Sequence, residues 1–541
     1  MISPGNTGFD RVVERNGGRR LSRRSLTKLG LGASAAAIAG IPRGGSHVTA
    51  APYIVRRAAQ PSGELIFVEG TDVTIFDPPQ VTDTPTNGMI RLLYNNLVTY
   101  DREMVIVPEL AERWEVDEAG STWTFHLRPG VVFSNNAPLT ADDVAFSIQR
   151  IQDPAQASPH AALFAVIQEV VPVDEMTVQF KTDGPFADLL VNLASSSSAI
   201  LSRAATESMD SQTYGQQPVG TGPFMLADWI PGDRCEFVPN PAYWGPAAQV
   251  GKIVYRPVPE ASTRAAMLQT GEADVAVKIS PEDVPSLEGN SDLQVIPFES
   301  MYQISIELNC GIENPPLNQQ AFRQALNHAI DKQAIVDNVL GGLGDVAVSP
   351  FGPGIQFRAE FDTYGYDPDR AKQLLEEVGA AEVAIKLWSP EGRYLKDRQV
   401  SEAIQGYLQA VGLQAELQIW EWAPYQTAIR GDAARQGFMV GRATPGADYT
   451  ATRLFSSQSL GQYNLTNFSD PGIDERLVQA RQSFDEAERA RLYQEIQNIW
   501  WQQAPWIFLH NQRAIVGVQN SVQDFFLFPH EVVDLRTVAK S

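Results

Sequence analysis

The sequence predicts an α/β protein with at least two packed lobes. At 541 residues, the chain exceeds the size at which a single hydrophobic core keeps growing. Short strand-like runs alternate with helical stretches, which is typical of α/β proteins and not of β-sandwiches. Apolar residues make up 43% and charged residues 20% of the chain, and these ordinary globular values do not favour disorder.

The predicted strands are short runs rich in β-branched and aromatic residues. They are ELIFVEG at 64–70, TWTFHL at 122–127, MTVQF at 176–180 and KIVYRPV at 252–258. Apolar periodicity near 3.6 residues predicts helices at other positions. These helices cover residues 140–150, 262–270, 319–340, 367–378 and 485–501.

Two of these helices carry their own start and stop signals. Thr140 is placed to cap the first helix, and Asp143 follows three residues later, where a carboxylate meets exposed backbone amides. In YDPDRAKQLLEEVG, Asp367 is the expected cap, Pro368 fits the first helical position, and Gly379 follows the last apolar residue.

The amino-terminal region reads as an export signal. Residues 19–41 join a basic cluster to about thirteen weakly apolar residues, which is too short for a membrane span of roughly twenty. The following residues resemble the twin-arginine consensus: Ser22, Arg23, Arg24, Leu26 and Lys28. The small residues near Ala51 suggest cleavage, so we expect a twin-arginine signal segment at 1–51. The alternative is a disordered basic arm.

The position of cysteines limits both anchoring and metal chemistry. No Cys ends the apolar signal stretch, so we expect a protein that is not a lipoprotein. Cys235 and Cys310 are the only cysteines in the chain. Two thiols exclude a cysteine-built zinc or iron-sulfur site and leave one possible disulfide, which the sequence does not decide.

The charge balance excludes nucleic acid as a partner. The net charge is −22, and the first 60 residues hold ten basic and two acidic side chains, so the remainder carries about −30. Such a surface repels phosphate backbones and anionic lipid headgroups. We therefore expect no nucleic-acid partner and no peripheral electrostatic membrane role.

Motifs for catalysis and cofactor binding are absent from the sequence. There is no P-loop, G-x-G-x-x-G, H-E-x-x-H or nucleophile elbow, and the six histidines have no ligand-like spacing. The sequence therefore predicts a protein that is not an enzyme, with no cofactor and no metal site.

Several longer segments resemble one family along nearly the whole chain from Glu64 onward. They are LLYNNLVTYDREMVIVPELAERWEV, TWTFHLRPGVVFSNNAPLTADDVAFSIQRI, PVGTGPFMLADWIPGDRCEFVPNPAYWG, LQTGEADVA and LNQQAFRQALNHAIDKQAIVDNVLGG. They are similar to the bacterial extracellular solute-binding proteins of family 5, the dipeptide, oligopeptide and nickel class that serves ABC importers.

The resemblance implies a two-lobed periplasmic-binding-protein-like fold of type II with an additional inserted domain. By analogy, lobe I would comprise residues 62–86, 190–299 and 505–541, the insertion 87–189, and lobe II 300–504. Solute would be enclosed by hinge closure between the lobes.

The segment FMVGRATPGADYTATRLF at 438–455 is the expected binding segment. Its Asp448 and Tyr449 match an A-D-Y motif in which the family's Asp receives the ligand's ammonium group. Arg442 corresponds to an arginine that meets a peptide's terminal carboxylate, a group that a planar guanidinium fork suits. Arg430 or Arg435 are the alternatives for this second role.

One departure from the family pattern concerns the pocket wall. Peptide-binding relatives carry a Trp just before A-D-Y, whereas this chain has T-P-G at 444–446. Trp420 and Trp422 lie upstream in IWEWAPY and supply alternative aromatic surface.

These features predict the substrate-binding component of an ABC transporter, located in the periplasm or at the cell surface. We expect it to capture a small peptide or similar small polar solute, to act as a monomer, and to deliver the solute to the transmembrane subunits of an ABC permease. The first alternative is the same role for an oligosaccharide, an opine or a metal chelate. The second is a secreted peptide hydrolase or a chaperone-like peptide holder.

Overall fold

The computed structural model describes residues 63–541, except residues 187, 312–315, 433–434, 445 and 484. The signal segment expected at 1–51 lies outside these described residues. Within them, no helix combines the length and the apolar character that a membrane span needs.

The described strands form one large sheet and four smaller ones. In chain order they are β1 (Glu64–Glu69), β2 (Val98–Tyr100), β3 (Ile106–Pro108), β4 (Ala111–Val116), β5 (Thr122–Leu127), β6 (Ile167–Asp174), β7 (Thr177–Thr182), β8 (Phe224–Ile230), β9 (Arg234–Pro239), β10 (Lys252–Pro257), β11 (Val275–Val277), β12 (Leu293–Leu308), β13 (Gly344–Val346), β14 (Ala384–Pro390), β15 (Gln414–Trp420), β16 (Gly437–Arg442), β17 (Trp506–Gln519), β18 (Val522–Gln523), β19 (Phe526–Leu527), β20 (Val533–Asp534) and β21 (Ala539–Lys540). The four strands predicted from the sequence correspond to β1, β5, β7 and β10.

Along the chain, the described α-helices lie mainly in the connections between strands. In chain order they are α1 (Thr84–Leu93), α2 (Ala141–Gln152), α3 (Ala161–Phe164), α4 (Leu189–Leu193), α5 (Arg203–Glu207), α6 (Ser211–Tyr214), α7 (Ala261–Thr270), α8 (Val284–Glu288), α9 (Gln320–His328), α10 (Lys332–Asn338), α11 (Pro368–Glu377), α12 (Asp397–Ala410), α13 (Trp422–Gly431), α14 (Ala447–Leu454), α15 (Pro471–Gln482) and α16 (Glu486–Gln503).

Two long strands join the two halves of the large sheet. Its strand order is β15-β14-β16-β12-β17-β11-β1-β10-β9-β8, with β13 paired to β17. The strands β12 and β17 contain 16 and 14 residues and pair antiparallel along most of their length. We call the part of the molecule around β1 and β8–β11 the first lobe, and the part around β14–β16 the second lobe.

Parallel strands stand at the centre of each lobe. In the first lobe β1 pairs parallel with β10 and β11, and in the second lobe β14 pairs parallel with β15 and β16. Parallel neighbours need crossover connections, which here contain helices. Each lobe also has its own apolar cluster, with Phe67 and Tyr255 in the first and Ile306 and Leu387 in the second.

A separate four-stranded antiparallel sheet has the order β4-β5-β7-β6. Its apolar face includes Phe125 and Phe180, whose ring centroids lie 5.2 Å apart, and it packs together with Ile148 of α2. This sheet falls inside the stretch 87–189 expected to be an inserted domain. The domain boundaries themselves stay predictions.

The local start and stop signals behave as the sequence indicates. The backbone amide of Thr140 donates to Asp143 Oδ2 at 2.9 Å, which completes a capping box at the start of α2. Asp367 accepts from the backbone amide of Arg370 at 2.8 Å and starts α11. Gly379 follows that helix with a φ of 66°, a conformation that favours glycine.

The prediction of a single helix at 319–340 is wrong. The structure contains two helices, α9 and α10, separated by residues 329–331. The carboxylate of Asp331 accepts from the backbone amide of Ala334 at 2.9 Å and so begins a second helix. An apolar period alone did not reveal this internal cap.

Close backbone packing explains the glycines of the GTGPF segment. A β-carbon added to Gly220 would lie 2.1 Å from the carbonyl oxygen of Leu93, and one added to Gly222 would lie 2.4 Å from that of Leu92. Any larger residue would separate this segment from α1. The two cysteines, Cys235 and Cys310, are both free thiols in this structure.

Candidate functional site

A cavity of about 90 Å³ lies between the two lobes. Residues 82–84, which lead into α1, and residues 194–197 line one wall, whereas α13, the end of β16 and the face of α14 that carries Tyr449 and Arg453 line the other. A volume of this size has room for on the order of six to nine waters. It therefore suits a compact solute.

Hydrogen bonds cross the cavity from lobe to lobe. Arg430 Nη2 of α13 donates to Thr82 Oγ1 at 2.6 Å, and the hydroxyl of Tyr463 donates to the carbonyl oxygen of Thr82 at 3.3 Å. The hydroxyls of Tyr449 and Ser195 lie 3.1 Å apart. The two lobes are therefore in contact around the cavity, in a closed arrangement.

Positive charge dominates the cavity wall. Among the described residues, the arginines that line it are Arg91, Arg393, Arg430, Arg442 and Arg453. Asp83 is the one acidic residue among the described lining residues. It also caps α1, because its carboxylate accepts from the backbone amide of Thr86 at 3.0 Å and from Thr74 Oγ1 at 2.9 Å.

The two histidines on the wall add no charge at neutral pH. Burial lowers the pKa of His530 to about 3, with a smaller contribution from Arg91. Burial likewise lowers the pKa of His160 well below its usual value, and Arg453 adds to this effect. Both imidazoles are neutral, so the arginines set the electrostatic potential.

Arg442 is held by a buried carboxylate behind it. Its Nε lies 2.8 Å from Glu307 Oε1, and its Nη2 lies 3.0 Å from Glu307 Oε2. This bidentate pair joins β16 to β12 and fixes the plane of the guanidinium. The guanidinium carbon also lies 4.7 Å from the ring centroid of Tyr463.

Tyr463 stands in the middle of three arginines. The guanidinium carbon of Arg453 lies 3.5 Å from its ring centroid. Burial raises the pKa of the Tyr463 phenol, but Arg453, Arg442 and Arg430 together lower it below its usual value of 10. We call these four residues the Tyr463 cluster.

The other arginines of this cluster destabilise the positive charge of Arg430. Its Nη1 donates to Gln426 Oε1 at 2.6 Å. Burial lowers the pKa of Arg430 to about 10, and the neighbouring charges of Arg442 and Arg453 contribute in the same direction. Like charges gathered in a buried site are a sign of a functional pocket.

Arg393 forms a second positive centre on the cavity wall. Only 1% of it is exposed, and its guanidinium lies 4.8 Å from the ring of Tyr394 and 5.2 Å from that of Trp422. Its Nη2 donates to the Tyr302 hydroxyl at 2.8 Å, whereas its buried Nε and Nη1 have no hydrogen-bond partner. We call Arg393 with these three rings the Arg393 cage.

A carboxylate holds the loop that carries Arg393. Asp397, at the start of α12, accepts from the backbone amides of Gly392 at 3.2 Å, Arg393 at 2.8 Å and Tyr394 at 3.0 Å. These bonds fix the loop after β14 from inside the second lobe. Asp397 therefore fixes the backbone that carries Arg393.

The helix α14 presents two different faces. Tyr449 and Arg453, four residues apart, both line the cavity, and Arg453 Nη1 donates to the Tyr449 hydroxyl. Asp448 and Thr452 share the other face and meet α15. Residues four apart lie on one helix face, so this division follows from the helical period.

Asp448, expected to meet the ligand, bonds instead to side chains behind the cavity wall. It is 2% exposed, accepts from Arg481 Nε at 2.7 Å, and lies 3.3 Å from the Tyr493 hydroxyl. It does not belong to the cavity lining in this closed arrangement. Its carboxylate supports the helix that carries Tyr449 and Arg453.

The other residues expected at the site also fall into two groups, those that line the cavity and those that do not. Arg442, Tyr449 and Trp422 line the cavity. Trp420 lies outside the lining, and its ring packs against that of Trp388 at 5.2 Å. Of the two alternatives to Arg442, Arg430 lines the cavity, whereas Arg435 Nη2 donates to the carbonyl oxygen of Leu465 at 3.0 Å.

The sequence analysis missed several residues of the cavity wall, among them Arg453, Arg393 and Asp83. Arg453 lies one helical turn after Tyr449, and that spacing is a signal that was available. Arg393 sits in a loop after a strand, and Asp83 reads as a helix cap, so neither carries a signal of its own in the sequence. Among the described residues, no group of three or more His, Cys, Asp or Glu side chains is arranged to hold a metal ion.

Two α/β lobes that are joined by paired long strands and enclose a cavity are the architecture of a solute-binding protein. The chain belongs to the bacterial extracellular solute-binding proteins, family 5, and the match to the middle region of that family covers residues 105–465. The two-lobed periplasmic-binding-protein fold expected from the sequence is confirmed by the solved structures that the chain resembles.

Three similar proteins illustrate the range of the family. The chain is 30% identical over 476 residues to the glutathione-binding protein GsiB of Escherichia coli (strain K12), covering 86% of this chain and 92% of that protein. The structure of DppA from Helicobacter pylori with the peptide STSA gives a TM-score of 0.83 at 26% identity, covering 88% and 98% of the two chains. The structure of MoaA from A.tumefacien R10 with mannopinic acid gives 0.81 at 25% identity, covering 89% and 100%.

Proposed function

We propose that the protein is the substrate-binding component of an ABC importer for small peptides or similar small polar solutes. It captures its solute outside the cytoplasmic membrane and delivers it to the transmembrane subunits of a permease. The buried, arginine-lined cavity between the two lobes carries this proposal. It is supported by the ligands of its relatives, which are glutathione for GsiB and the peptide STSA for DppA.

Solute capture would proceed by hinge closure about β12 and β17. The predicted division into lobe I, an inserted domain at 87–189 and lobe II at 300–504 fits this role, because the cavity wall draws residues from both sides. The hydrogen bonds from Arg430 to Thr82 and between Tyr449 and Ser195 would form on closing. Hinges of this kind are formed by a few loop or element-terminal residues that absorb the change in backbone angles.

Arg442, Tyr449 and Trp422 are the proposed ligand contacts among the residues expected from the sequence. The planar fork of Arg442, fixed by Glu307, would receive a peptide carboxylate, Tyr449 would donate its hydroxyl, and Trp422 would cover apolar parts of the solute. Trp420 and Asp448 would act from behind these side chains.

A peptide also carries an ammonium group, and two acids are candidates to receive it. Asp448 remains the candidate that the A-D-Y motif favours, although Arg481 already occupies its carboxylate. Asp83 lines the cavity directly. A charge-assisted hydrogen bond from the ammonium group to either carboxylate would fix the direction of the peptide.

The proposal includes location and assembly. The protein would leave the cytoplasm by the twin-arginine route with the signal at 1–51, carry no lipid anchor, and work as a monomer in the periplasm or at the cell surface. It would bind its solute without a cofactor and without changing it.

A binding assay with product analysis tests this function. The purified protein is incubated with a defined mixture of di- and tripeptides, and the bound and free fractions are identified by mass spectrometry. The proposal predicts selective retention of intact peptides. Cleaved peptides would instead identify a hydrolase, and retention of no peptide would remove the peptide-binding function.

The second candidate is the same transport role for an opine. The 25% identical MoaA holds mannopinic acid, and the Trp residue that precedes A-D-Y in peptide-binding relatives is replaced here at 444–446. Trp422 in the cavity wall offers an aromatic surface against which the carbon chain of such a solute can pack. Thermal stabilisation by mannopinic acid but by none of the peptides would favour this candidate over the first. Oligosaccharides and metal chelates belong in the same screen.

A further inference from the structure

Four of the five arginines that line the cavity form no ion pair with an acid among the described residues. Arg91, Arg393, Arg430 and Arg453 form no ion pair with any acid among the described residues, whereas Arg442 is paired with Glu307. Arg91 lies over the ring of Phe528 and is not part of the Tyr463 cluster or the Arg393 cage. Burying a charged group without a partner is costly, and proteins normally avoid it. An excess of buried positive charge that persists in the closed arrangement therefore indicates that the counter-charge comes from the solute.

Unfilled donors point in the same direction. The Nε and Nη1 of Arg393 and the Nε of Arg453 are buried and have no hydrogen-bond partner. These residues are only 1% and 5% exposed, so they are largely shielded from bulk solvent. Buried donors in a folded protein are nearly always satisfied. The donors of Arg393 are therefore built to meet acceptor oxygens that arrive with a ligand.

The unpaired charges form two separate centres. Arg430 and Arg453 belong to the Tyr463 cluster, and Arg430 is tied to Thr82. Arg393 belongs to the Arg393 cage, and the Tyr302 hydroxyl to which it donates contacts Thr84 Oγ1. The two centres thus flank residues 82–84, and Asp83 stands between them on the wall. A solute with two anionic groups can meet both centres at once.

We propose that the cavity selects compact solutes that carry at least two anionic groups, such as a short peptide with an acidic side chain, because Arg430 and Arg453 in one centre and Arg393 in the other form no ion pair among the described residues, and Arg393 and Arg453 have unfilled donors. This inference rests on the proposed transport function and names the class of solute within it. An ordinary zwitterionic peptide brings one carboxylate and one ammonium group. The second carboxylate supplies the charge that the remaining arginine centre requires.

Calorimetric titration with matched peptides tests the selectivity. The dipeptides Ala-Glu and Ala-Gln have nearly the same size and differ in one carboxylate. The protein, dialysed free of carried-over solute, is expected to bind Ala-Glu at least about tenfold more tightly, which is the scale of one charge-assisted hydrogen-bond pair. Ala-Lys is expected to bind more weakly than either. Equal affinity for Ala-Glu and Ala-Gln, or a preference for Ala-Lys, would overturn the inference.

Substitution of the second centre separates charge from packing. Arg393→Gln is expected to lower the affinity for Ala-Glu by about tenfold or more and to change that for Ala-Gln little. Arg393→Lys is expected to restore part of the preference, because it keeps the charge. The control Arg513→Gln removes an arginine that is 43% exposed and paired with Asp345 outside the cavity. An unchanged preference for Ala-Glu in Arg393→Gln would contradict the role of Arg393.

A second set of probes separates this inference from the proposed function. Succinate and citrate carry two or more carboxylates and are not peptides. Binding of peptides regardless of the second carboxylate would leave the transport of peptides in place and reject the selectivity. Binding of citrate or succinate with no binding of any peptide would reject the peptide proposal and support the two-anion cavity.

Discussion

Asp83 combines a structural and a binding role in one carboxylate. It caps α1 and is also the acid that lines the cavity. Asp83→Asn keeps the cap, because asparagine is an equally good N-cap residue, so the free energy of unfolding is expected to change by less than about 1 kcal/mol. The loss of charge is expected to weaken the binding of a peptide with a free amine by about tenfold.

Calorimetry and urea denaturation of Asp83→Asn measure the two quantities separately. An N-acetylated version of the same peptide is the control, since it has no ammonium group to lose. If wild type and Asp83→Asn bind the free-amine peptide equally, then Asp83 does not receive the ammonium group and Asp448 becomes the remaining candidate.

Lys332 is a buried ammonium group that meets only carbonyl oxygens. Its Nζ donates to the carbonyl oxygens of Asn327 at 2.6 Å and Tyr364 at 2.9 Å. Burial lowers the pKa of Lys332 from 10.5 to about 7, and Asp331 opposes this shift. Between these two values the unfolded chain holds a proton that the folded chain has released. The free energy of unfolding therefore rises with pH in this window and falls as the pH drops through 7.

The substitution Lys332→Met removes this pH dependence. The unfolding free energy of wild type minus that of the variant is expected to increase by about 1.4 kcal/mol per pH unit between pH 7.5 and 9. Urea denaturation of both proteins across this range provides the test. Parallel curves would mean that Lys332 stays protonated in the folded protein.

Some residues of the site can be predicted from the sequence, and others cannot. Arg442 and Tyr449 were found because they belong to a segment with a recognisable pattern. Arg453 was predictable from helical spacing, since it lies one turn beyond Tyr449. Arg393 was not, because its position depends on a loop that Asp397 holds through backbone amides, and such a tertiary contact leaves no periodic trace in the sequence.

At the scale of elements, α15 carries one buried and one exposed ion pair. Arg481 pairs with Asp448, and their side chains are 13% and 1% exposed. Arg476 pairs with Glu495, and these side chains are 31% and 37% exposed. The two arginines lie on the same helix at similar distances from their partners, so they provide a matched comparison of burial.

Arg481→Met is expected to be much more destabilising than Arg476→Met. Removing Arg481 leaves the buried carboxylate of Asp448 without its cation, which costs about 3–5 kcal/mol of unfolding free energy. Removing Arg476 is expected to cost less than about 1 kcal/mol. Chemical denaturation of the two variants gives the comparison, and equal losses would show that the Asp448 pair does not stabilise α14.

The elements themselves were largely predictable. Five helical stretches and four strands were placed from periodicity and capping residues, and the helix starts at Thr140 and Asp367 are confirmed in atomic detail. The stretch 319–340 was not resolved into two helices, because both halves share one apolar period and the break depends on a single capping carboxylate at Asp331. An apolar period indicates which residues are buried, and buried residues continue from α9 across the break into α10.

At the scale of the whole molecule, two glycines allow the lobes to meet. A β-carbon added to Gly70, at the end of β1, would lie 1.8 Å from the carbonyl oxygen of Gly392, in the loop that carries Arg393. Gly70→Ala is therefore expected to push the loop away and disfavour the closed arrangement. The apparent affinity for solute falls in proportion to the closed fraction, by about tenfold or more.

A glycine in open space supplies the control for this substitution. Gly406 lies in α12, and an added β-carbon would meet nothing within 4 Å. Gly406→Ala is expected to leave the affinity unchanged and to stabilise the helix by about 0.5–1 kcal/mol. Titration calorimetry of both variants tests the closure. Wild-type affinity in Gly70→Ala would mean that binding does not require the contact between Gly70 and Gly392.

The two-lobed fold was foreseeable, but the charge of its cavity was not. Length, alternation of elements and the family resemblance indicated two lobes, whereas the arginines of the cavity come from a loop, three helices and a strand end far apart in the sequence. The net charge of −22 would instead suggest a negative cavity. It does not report the cavity, because the acidic side chains on the surface outnumber the few arginines in the interior.

Native mass spectrometry of the gently purified protein tests the central claim most directly. The intact complex is weighed, and the protein is then denatured so that any released molecule can be identified by fragmentation. The account predicts one small solute per chain, a peptide with a free amine and two carboxylates. A protein that carries no solute and gains no mass when peptides and small anions are offered would contradict it.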